Sequence, residues 1–459
     1  MDELIAELSR FLGPDSVLTG AEARQRMPAG SQASVLVLPR TTEQVSGVLS
    51  RCHRAGRSVV PQGGLTGLVQ GAVSGPDDVA LSLDRMRHIE KVDTLNRTMT
   101  VQAGVPLQAA QEAAAEAGLM LALDLGARGT ATIGGNVATN AGGTRVIRFG
   151  MMRDMVLGLE AVLADGTVID ARSKFIKNNA GYDIKHLFIG SEGTLGIVTS
   201  AVLRLRPLPR SRSTAMAAID DFPRVLGFLS AMEAQLLGTL SSFEVMWQSF
   251  YELVTTPPSR GSAVLPRGHA YYVLVETLGR DQARDDEALV AALDAASAEG
   301  LLAHAVVAQS GARRDELWSL REDLEWLGRD GPYFAYDVSL PLDRMEAYVA
   351  EMKRRLAARF PGHRVHVYGH IGDGNLHVAV RVDEHDEHGA HDEVDAIVYG
   401  ALSPGDSSVS AEHGIGLLKK QHLARSRSEA ELAVMRALKD ALDPRGILNP
   451  GKVFDVLPR

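Results

Sequence analysis

The 459-residue chain contains a single cysteine, Cys52. One thiol excludes a disulfide scaffold, and it also excludes an iron–sulfur cluster or a cysteine zinc site held by this chain alone. Any electron-transfer chemistry must therefore use an organic cofactor or haem. Aromatic residues make up 5% of the sequence, no basic stripe is interleaved with them, and the net charge is −9. This balance argues against a nucleic-acid partner and against an anionic membrane surface.

Long apolar runs are also missing from the sequence. No run approaches the roughly 18 residues that a helix needs to cross a bilayer. At the N-terminus, Ile5, Leu8 and Leu12 recur at helical spacing after acidic residues, a pattern typical of an amphipathic helix rather than of a signal peptide. These features predict a cytoplasmic protein that is at most peripheral to a membrane.

Glycine, in contrast, is abundant. The chain has 45 glycines in 459 residues, which is 9.8%, where about 7% is usual. Five of them lie between Gly63 and Gly75, and seven lie between Gly126 and Gly150. Neither a collagen-like period nor low complexity explains two local clusters, so we expect the backbone to approach another group closely in both.

Both glycine clusters have the composition of a phosphate-binding loop. The first, PQGGLTGL from Pro61 to Leu68, follows a short predicted strand, and its glycines free the backbone N–H groups to converge while Thr66 adds a hydroxyl. The second, at residues 126–143, repeats this with further small polar residues. Two such segments predict a long ligand lying across the backbone, such as a dinucleotide with its pyrophosphate.

The order of predicted elements divides the chain. Short β-like runs alternate with helical stretches from about residue 14 to 206, where Thr41 and Gln44 form a capping box. Pro207 and Pro209 mark a domain boundary. Up to about residue 382, strands then alternate with long helices, which indicates an α+β domain with helices on one face of an antiparallel sheet. A last helix is predicted for Ser428–Asp443.

The acidic run DEHDEHGAHDEVD, from Asp383 to Asp395, carries histidines three residues apart. That spacing suggests a metal site. Because nothing in the run is apolar enough to hold it rigidly, the preferred prediction is a solvated acidic loop.

The stretch GHIGDGNLH, from Gly369 to His377, joins two alternating apolar runs. Asp373–Gly374 is a favoured two-residue hairpin turn, and such a turn would place His370 directly opposite His377. Opposed side chains have Cβ atoms about 4.5–5.5 Å apart, so the two imidazoles could share one metal. The alternative is a pair of half-buried histidines with satisfied hydrogen bonds.

The sequence SAEHGIG supplies two further candidates, Glu412 and His413. Glu412 offers a third metal ligand and His413 another imidazole. Because the side chains of adjacent residues diverge, one can bind a metal while the other faces a substrate.

Five blocks occur in order along nearly the whole chain: PQGGLTGL, GTATIGGNVATNAGG, GLEAVLADGTVI, GYDIKHLFIGSEGTLGIVT and ILNPGKVF. Together they resemble the FAD-binding family of vanillyl-alcohol oxidase and p-cresol methylhydroxylase, and within it the D-2-hydroxyacid dehydrogenase branch. The resemblance implies an α+β fold with a two-part FAD-binding domain of the p-cresol methylhydroxylase type around an inserted α+β substrate (cap) domain. It implies an FAD-binding domain at 1–207, a substrate domain with a metal site at 208–415, and a segment at 416–459 that returns to the flavin.

The resemblance also assigns residues to the flavin. The first glycine loop would hold the pyrophosphate, and the second segment would lie along the ribityl chain and isoalloxazine together with residues 192–197 and a C-terminal asparagine. The residues implied are Pro61, Gly63, Gly64, Leu65, Thr66, Gly67, Gly129, Thr132, Gly135, Asn136, Asn140, Gly142, Glu192, Gly196, Ile197 and Asn449. Leu65 stands where some relatives carry a histidine bonded covalently to the flavin, so non-covalent FAD is expected.

By the same resemblance, the chemical centre binds a divalent metal, expected to be zinc, through His370, His377 and Glu412. His413 would be the base and Arg321 would bind the substrate carboxylate, with Asn375 nearby. The implied reaction oxidises a D-2-hydroxyacid to the 2-oxoacid by hydride transfer to the flavin. Electrons would pass to a separate acceptor, which is an electron-transfer flavoprotein, a quinone or a cytochrome, and a homodimer is the candidate assembly.

Two positions depart from the D-2-hydroxyglutarate enzymes of this branch. Where those enzymes place a threonine and a lysine for the distal carboxylate, this chain has Glu325 and Ala335. We therefore expect a D-2-hydroxyacid whose far end is not anionic. The alternatives are a D-2-hydroxyglutarate dehydrogenase proper, the flavin subunit of a multi-subunit glycolate oxidase, and a metal-dependent hydrolase with an incidental nucleotide site.

Overall fold

A computed structural model describes residues 1–259, 261–329, 331–382 and 387–455. The chain divides into two compact units. The terminal unit contains Met1–Gly143, Gly150–Leu208 and the segment that begins at Glu412, and the inserted unit contains Thr144–Phe149 and Pro209–Ala411. The terminal unit is thus assembled from both ends of the chain.

The helices and strands have the following bounds. The strands are β1 Val17–Thr19, β2 Val35–Val37, β3 Val59–Gln62, β4 Val79–Ser82, β5 Ile89–Asp93, β6 Thr98–Gln102, β7 Leu119–Met120, β8 Val156–Val162, β9 Val168–Ala171, β10 Ile197–Arg204, β11 Arg206–Pro207, β12 Ser211–Ile219, β13 Leu240–Trp247, β14 Tyr271–Gly279, β15 His304–Val307, β16 Phe334–Ser339, β17 Arg364–His370 and β18 Asn375–Arg381. The helices are α1 Asp2–Leu12, α2 Gly20–Gln25, α3 Thr42–Ala55, α4 Leu107–Glu116, α5 Ile133–Thr139, α6 Val146–Phe149, α7 Met152–Met155, α8 Lys185–Phe188, α9 Phe222–Leu236, α10 Gln248–Thr255, α11 Gln282–Ala298, α12 Gly311–Glu322, α13 Met345–Arg359, α14 Glu387–Tyr399 and α15 Glu429–Leu442.

The terminal unit contains a four-stranded sheet in the order β1-β2-β4-β3. Strands β2 and β3 both run parallel to β4 because α3 provides the crossover between them. Helix α3 begins after Thr41 as predicted, and the Thr41 hydroxyl accepts a hydrogen bond from the Gln44 amide. The second bond of the predicted capping box differs, because Gln44 Oε1 accepts from Arg40 N at 2.7 Å and not from Thr41 N. The bridge between Val59 and Leu448 brings the C-terminal segment against β3, the last strand of this sheet.

A second sheet of the terminal unit is antiparallel, in the order β5-β6-β10-β8-β9. Strands β8 and β10 are almost wholly buried, whereas β9 at the edge alternates between exposed and half-buried residues. A separate pair, β7 and β11, leads the chain out of this unit. The first glycine segment follows β3, and the second leads into α5.

The inserted unit is built on a seven-stranded antiparallel sheet, β15-β12-β14-β13-β17-β18-β16. The prediction that its helices cover one face is wrong. Phe228 of α9 packs on Phe243 of β13 with ring centroids 5.7 Å apart. Trp318 of α12 donates to Glu276 of β14, which pairs with Ser242 on the opposite side of β13 from Phe243. Both faces are therefore covered, which explains why every residue of β13 is buried.

The acidic run was predicted to be a loop, and that prediction is also wrong from residue 387 onward, where α14 begins. Ala390, Val394 and Val398 recur at intervals of four and are 3%, 0% and 0% exposed. This apolar stripe anchors the helix although most of its neighbours are charged. Residues 383–386 of the run lie outside the described part of the chain.

Candidate active site

The two glycine segments of the terminal unit lie against each other. A Cβ atom on Gly64 would stand 1.9 Å from the backbone oxygen of Thr130, and one on Gly63 would stand 2.7 Å from the Thr132 hydroxyl. Glycine is required at Gly64 because the two backbones touch there. The close approach expected from composition is thus, in part, an approach of one glycine segment to the other.

The first loop presents its backbone to solvent beyond that contact. Leu65, Thr66 and Gly67 are exposed, and Leu65 adopts a positive φ of 57°. In the second segment the Thr132 hydroxyl accepts from Gly135 N at 3.4 Å, and Asn136 is buried in α5. The exposed backbone of residues 65–67 is thus a candidate binding surface, and Thr132 caps the N-terminus of α5.

Several buried polar atoms of the terminal unit have no hydrogen-bond partner among the described residues. They are both amide atoms of Gln62, Nδ2 of Asn136 and Oδ1 of Asn449. Leaving such groups buried and unpaired costs about 1–3 kcal/mol each, and a polar ligand would satisfy them. These residues therefore fit a dinucleotide cofactor. Gln62 was not predicted as a site residue, although it directly precedes the first glycine pair.

Glu192 connects two distant parts of the terminal unit. Its carboxylate accepts hydrogen bonds from Ile415 N at 2.6 Å and Gly416 N at 2.8 Å. Burial raises the pKa of Glu192, against the effect of these two hydrogen bonds. Asn449 donates to the Glu192 backbone oxygen at 2.7 Å and to Gly71 O at 3.0 Å. Both residues hold the backbone that surrounds the glycine segments.

All sixteen residues predicted to bind the flavin lie in the terminal unit, but they are not all placed alike. Pro61 packs under Gly193, where a Cβ would be 2.6 Å from Pro61 Cγ. Asn140 has a φ of 50° and accepts from Arg153 N at 2.9 Å. A Cβ on Gly196 would stand 2.6 Å from the Phe188 ring, so this glycine has a packing reason of its own. The remaining members, Gly129, Gly142 and Ile197, are exposed, buried and buried, respectively.

In the inserted unit, the hairpin that carries the two histidines differs in register from the prediction. Tyr368, not His370, pairs with His377 across β17 and β18, because the turn is a 3₁₀ turn at Ile371–Asp373 followed by Gly374 with φ 85°. The shift is two residues, which leaves every side chain on its predicted face. The rings of His370 and His377 are therefore diagonal neighbours with centroids 5.2 Å apart, and each offers a ligand atom within 4.8 Å of the other.

A buried carboxylate joins two of the predicted site residues. Glu244 of β13 contacts His370 Nδ1 through Oε1 at 2.6 Å, and it accepts from Arg321 Nε through Oε2 at 2.9 Å. Burial by itself would raise the pKa of Glu244, but its interactions with His370 and Arg321 hold it below its usual value. The sequence analysis missed Glu244, although a single charge in the apolar strand LSSFEVMW is a signal that a partner is required.

A second carboxylate, Asp337 of β16, orients Asn375. Asn375 Nδ2 donates to Asp337 Oδ1 at 3.0 Å, and Ser410 Oγ donates to Asp337 Oδ2 at 3.0 Å. Asp337 also pairs with His377 across the sheet. Glu412 and His413 directly follow the last residue of the inserted unit and begin the C-terminal segment of the terminal unit.

Glu325 and Ala335, the two residues that differ from the pattern of the D-2-hydroxyglutarate enzymes, are both exposed. Glu325 lies in the 3₁₀ turn Leu324–Gly328, and Ala335 pairs with Ala379 on the edge strand β16. Neither side chain is held by the buried network around Glu244.

Comparison with known proteins places this geometry in a class. Residues 33–172 match the family model "FAD binding domain", and residues 208–453 match "FAD linked oxidases, C-terminal domain". The D-2-hydroxyglutarate dehydrogenase of Xanthomonas citri pv. viticola is 41% identical over 92% of this chain and 89% of its own. The mitochondrial D-2-hydroxyglutarate dehydrogenase of Bos taurus is 40% identical over 98% of this chain and 83% of its own.

Solved structures agree on the fold. p-Cresol methylhydroxylase superposes with a TM-score of 0.78 over 99% of this chain and 97% of its own, at 17% identity. The two-part FAD-binding architecture predicted from the sequence is thereby confirmed. Fold and sequence together define an FAD-dependent oxidoreductase. The chain belongs to the family of FAD-linked oxidases that includes the D-2-hydroxyglutarate dehydrogenases.

Among the described residues, no helix combines the length and apolar character that crossing a membrane requires. The bovine relative is named as a mitochondrial protein, so a cytoplasmic location for this chain stays a prediction. The homodimer stays a prediction as well.

Proposed function

We propose that this protein oxidises a D-2-hydroxyacid to the corresponding 2-oxoacid and passes the electrons to a separate acceptor. The observation that carries this proposal is the buried arrangement around Glu244, which holds an imidazole suited to a metal and an arginine suited to a carboxylate. Membership of the FAD-linked oxidases and the names of the relatives support it. The terminal unit is the proposed FAD-binding part, and the inserted unit is the proposed substrate part.

The cofactors are assigned to residues as follows. FAD would lie along the two glycine segments, supported by the unpaired buried atoms of Gln62, Asn136 and Asn449, and it would be non-covalent because Leu65 offers no nucleophile. A divalent metal, proposed to be zinc, would be held by His370, His377 and Glu412. The two imidazoles with ligand atoms within 4.8 Å fit such a metal. When bound, FAD accepts the substrate hydride and the metal lowers the pKa of the substrate hydroxyl.

The chain's own residues would bind the substrate and move its proton. Arg321 would bind the substrate carboxylate, because a planar guanidinium matches the two carboxylate oxygens. His413 would take the hydroxyl proton as the general base. Asn375 would contact the substrate through Oδ1, which is buried and has no hydrogen-bond partner among the described residues.

The substrate is proposed to have an uncharged far end. Glu325 would repel a distal carboxylate and Ala335 has no donor to bind one. D-2-hydroxyglutarate is the second candidate, because two relatives at 40–41% identity carry that name. Similar turnover of D-lactate, D-2-hydroxyglutarate and a longer apolar D-2-hydroxyacid would contradict the preference for an uncharged end.

The reaction is tested by anaerobic addition of D- and L-hydroxyacids to the flavin-loaded protein while the flavin absorbance is followed. We expect bleaching by a D-2-hydroxyacid and reoxidation by an artificial dye. Absence of bleaching with every hydroxyacid would overturn the proposal. A chain that turns over with the dye alone would argue against the subunit of a multi-chain oxidase.

His413→Ala tests the base. We expect the variant to retain its flavin and to lose at least about 100-fold in the rate of flavin reduction, the usual contribution of a general base. His88→Ala, at an exposed position of the terminal unit, is the control and should reduce at the wild-type rate. Rapid reduction in the His413 variant would refute this role.

A further inference from the structure

Glu244 is a buried carboxylate of the inserted unit with a separate partner for each oxygen. It lies in the centre of β13 and is 1% exposed, and its two partners His370 and Arg321 are 7% and 5% exposed. Each carboxylate oxygen serves a different partner, Oε1 the imidazole at 2.6 Å and Oε2 the guanidinium at 2.9 Å. A carboxylate this deeply buried is stable only because both partners are present.

The contact to His370 determines which ring nitrogen can bind a metal. A carboxylate oxygen accepts hydrogen bonds, so Nδ1 of His370 carries the proton. The lone pair of a neutral imidazole then resides on Nε2, which is the nitrogen through which His370 would bind a metal. Histidines that ligate metals typically donate their other N–H to such a carboxylate, which fixes the ring and makes it a better ligand.

The contact between Glu244 and Arg321 fixes the orientation of the Arg321 guanidinium. Glu244 accepts a hydrogen bond from Nε of Arg321, and the guanidinium lies over the Tyr368 ring with 4.7 Å between Cζ and the ring centroid. Tyr368 in turn pairs with His377 in the sheet, with ring centroids 5.0 Å apart. A side chain held at Nε and stacked on a ring has little freedom left, so the guanidinium is oriented before any carboxylate arrives.

We propose that Glu244 is a positioning residue that sets the metal-binding nitrogen of His370 and the orientation of Arg321 at the same time. This inference rests on the proposed function, because it takes His370 as a metal ligand and Arg321 as the carboxylate binder. One buried carboxylate thereby couples metal binding to substrate binding.

The neighbouring strand offers a matched control, Glu276 of β14. It is 0% exposed and lies on the same side of the sheet as Glu244, since it pairs with Ser242. Its Oε2 accepts from Arg212 Nε at 2.6 Å and from Trp318 Nε1 at 2.7 Å. Glu276 is therefore also a buried carboxylate bonded to an arginine, but none of its hydrogen-bond partners among the described residues is a histidine.

The experiment compares Glu244→Gln with Glu276→Gln in the flavin-loaded protein after the metal has been removed by a chelator. Glutamine has one acceptor and no charge, so it cannot serve both His370 and Arg321. We expect the Kd for Zn²⁺, measured by competition with a chromophoric chelator, to rise about 10–100-fold in Glu244→Gln. Glu276→Gln should stay within about threefold of the wild type, and both variants should keep the wild-type flavin content.

A second readout concerns the substrate. At saturating Zn²⁺, Glu244→Gln should show a raised KM for the D-2-hydroxyacid because Arg321 is no longer held, whereas Glu276→Gln should keep the wild-type KM. If Glu244→Gln does not fold, Glu244→Asp provides the test, since it keeps the charge but is one methylene too short to reach both partners. The same rise in the Kd for Zn²⁺ is expected in that variant.

The outcomes separate this inference from the function on which it rests. Failure of the wild-type protein to bind Zn²⁺ would overturn the proposed metal centre and this inference with it. Zinc binding by the wild type that is unchanged in Glu244→Gln, or equally weakened in Glu276→Gln, would overturn only the role of Glu244.

Discussion

The position of Cys52 on α3 determines both the burial and the reactivity of its thiol. It belongs to the stripe of α3 formed by Val45, Val48, Leu49 and Cys52, all 0% exposed. The recurrence at intervals of three and four residues places all four side chains on the face that packs into the core. Burial raises the pKa of the Cys52 thiol to about 12, so the thiolate is disfavoured throughout the physiological range.

The thiol should therefore be unreactive in the folded protein. At pH 8 we expect no reaction of native Cys52 with a disulfide reagent and complete reaction of one thiol per chain after unfolding in guanidinium. Because the folded pKa lies above the unfolded value near 8.5, this group's contribution to stability is intact below about pH 8.5 and is lost as the pH rises toward 12. Fast modification of the native protein at pH 8, absent in Cys52→Ser, would contradict this.

The candidate active site shows which residues can be predicted from the sequence. His370, His377 and Asn375 were found because they lie close together along the chain, so a local hairpin argument reaches them. Glu244 is more than one hundred positions away from His370, and only the strand order of the sheet brings it there. Its role depends on a tertiary contact that no local pattern encodes.

The two glycine segments show how one element of the fold constrains another. The first loop follows β3 and the second leads into α5, and they meet where Gly64 touches the Thr130 backbone. Gly126, in the same second segment, has nothing within 4 Å of its Cβ position and is exposed. Gly64 is in contact with another backbone segment, whereas Gly126 is not. Substituting each by alanine therefore distinguishes the effect of a lost contact from the effect of a stiffer backbone.

Gly64→Ala should separate the two segments. A Cβ at 1.9 Å from a backbone oxygen cannot be accommodated without movement, so we expect a loss of about 1–3 kcal/mol in unfolding free energy and a lower ratio of flavin to protein absorbance. Gly126→Ala should change stability by less than about 0.5 kcal/mol and keep the flavin. Equal flavin content in both variants would show that the contact does not shape the cofactor site.

The hairpin explains why elements were predicted better than their registers. Apolar alternation located β17 and β18, and Asp373–Gly374 correctly indicated a tight turn. The turn nevertheless starts two residues earlier, where Ile371 is 0% exposed and a Cβ on Gly372 would meet Ile147 at 2.4 Å. Burial of Ile371 and packing against a distant helix select the turn, and neither is visible in the local sequence.

On the scale of the whole molecule, the terminal unit depends on contacts between the two ends of the chain. Lys439 of α15 is 4% exposed, and its Nζ donates to Thr194 O at 2.8 Å, Asp443 Oδ2 at 2.6 Å and Leu448 O at 2.8 Å. Asp443 also accepts from the Ile447 and Leu448 amides. This buried pair fixes the final segment against the glycine-rich stretch at residues 190–196, which contains Thr194.

Lys439→Met should weaken the attachment of the C-terminal segment to the rest of the terminal unit. It leaves Asp443 buried without its counter-charge, which typically costs about 3–5 kcal/mol, and chemical denaturation should show a loss of that size together with weaker flavin retention. Arg436→Met, at an exposed position of the same helix, should change stability by less than about 0.5 kcal/mol. Wild-type stability in Lys439→Met would mean that the C-terminal segment is held by other contacts.

The bridge at Val59 has a consequence for the nascent chain. Val59 donates to Ile447 O and accepts from Asn449 N, so the uncovered edge of β3 is paired only after residues 388–390 positions later in the chain have been synthesised. At about 5–20 residues per second this interval lasts about 20–80 s, and the inserted unit emerges complete within it. During translation β3 is an exposed strand edge, the kind of surface on which chaperones act and from which aggregation starts.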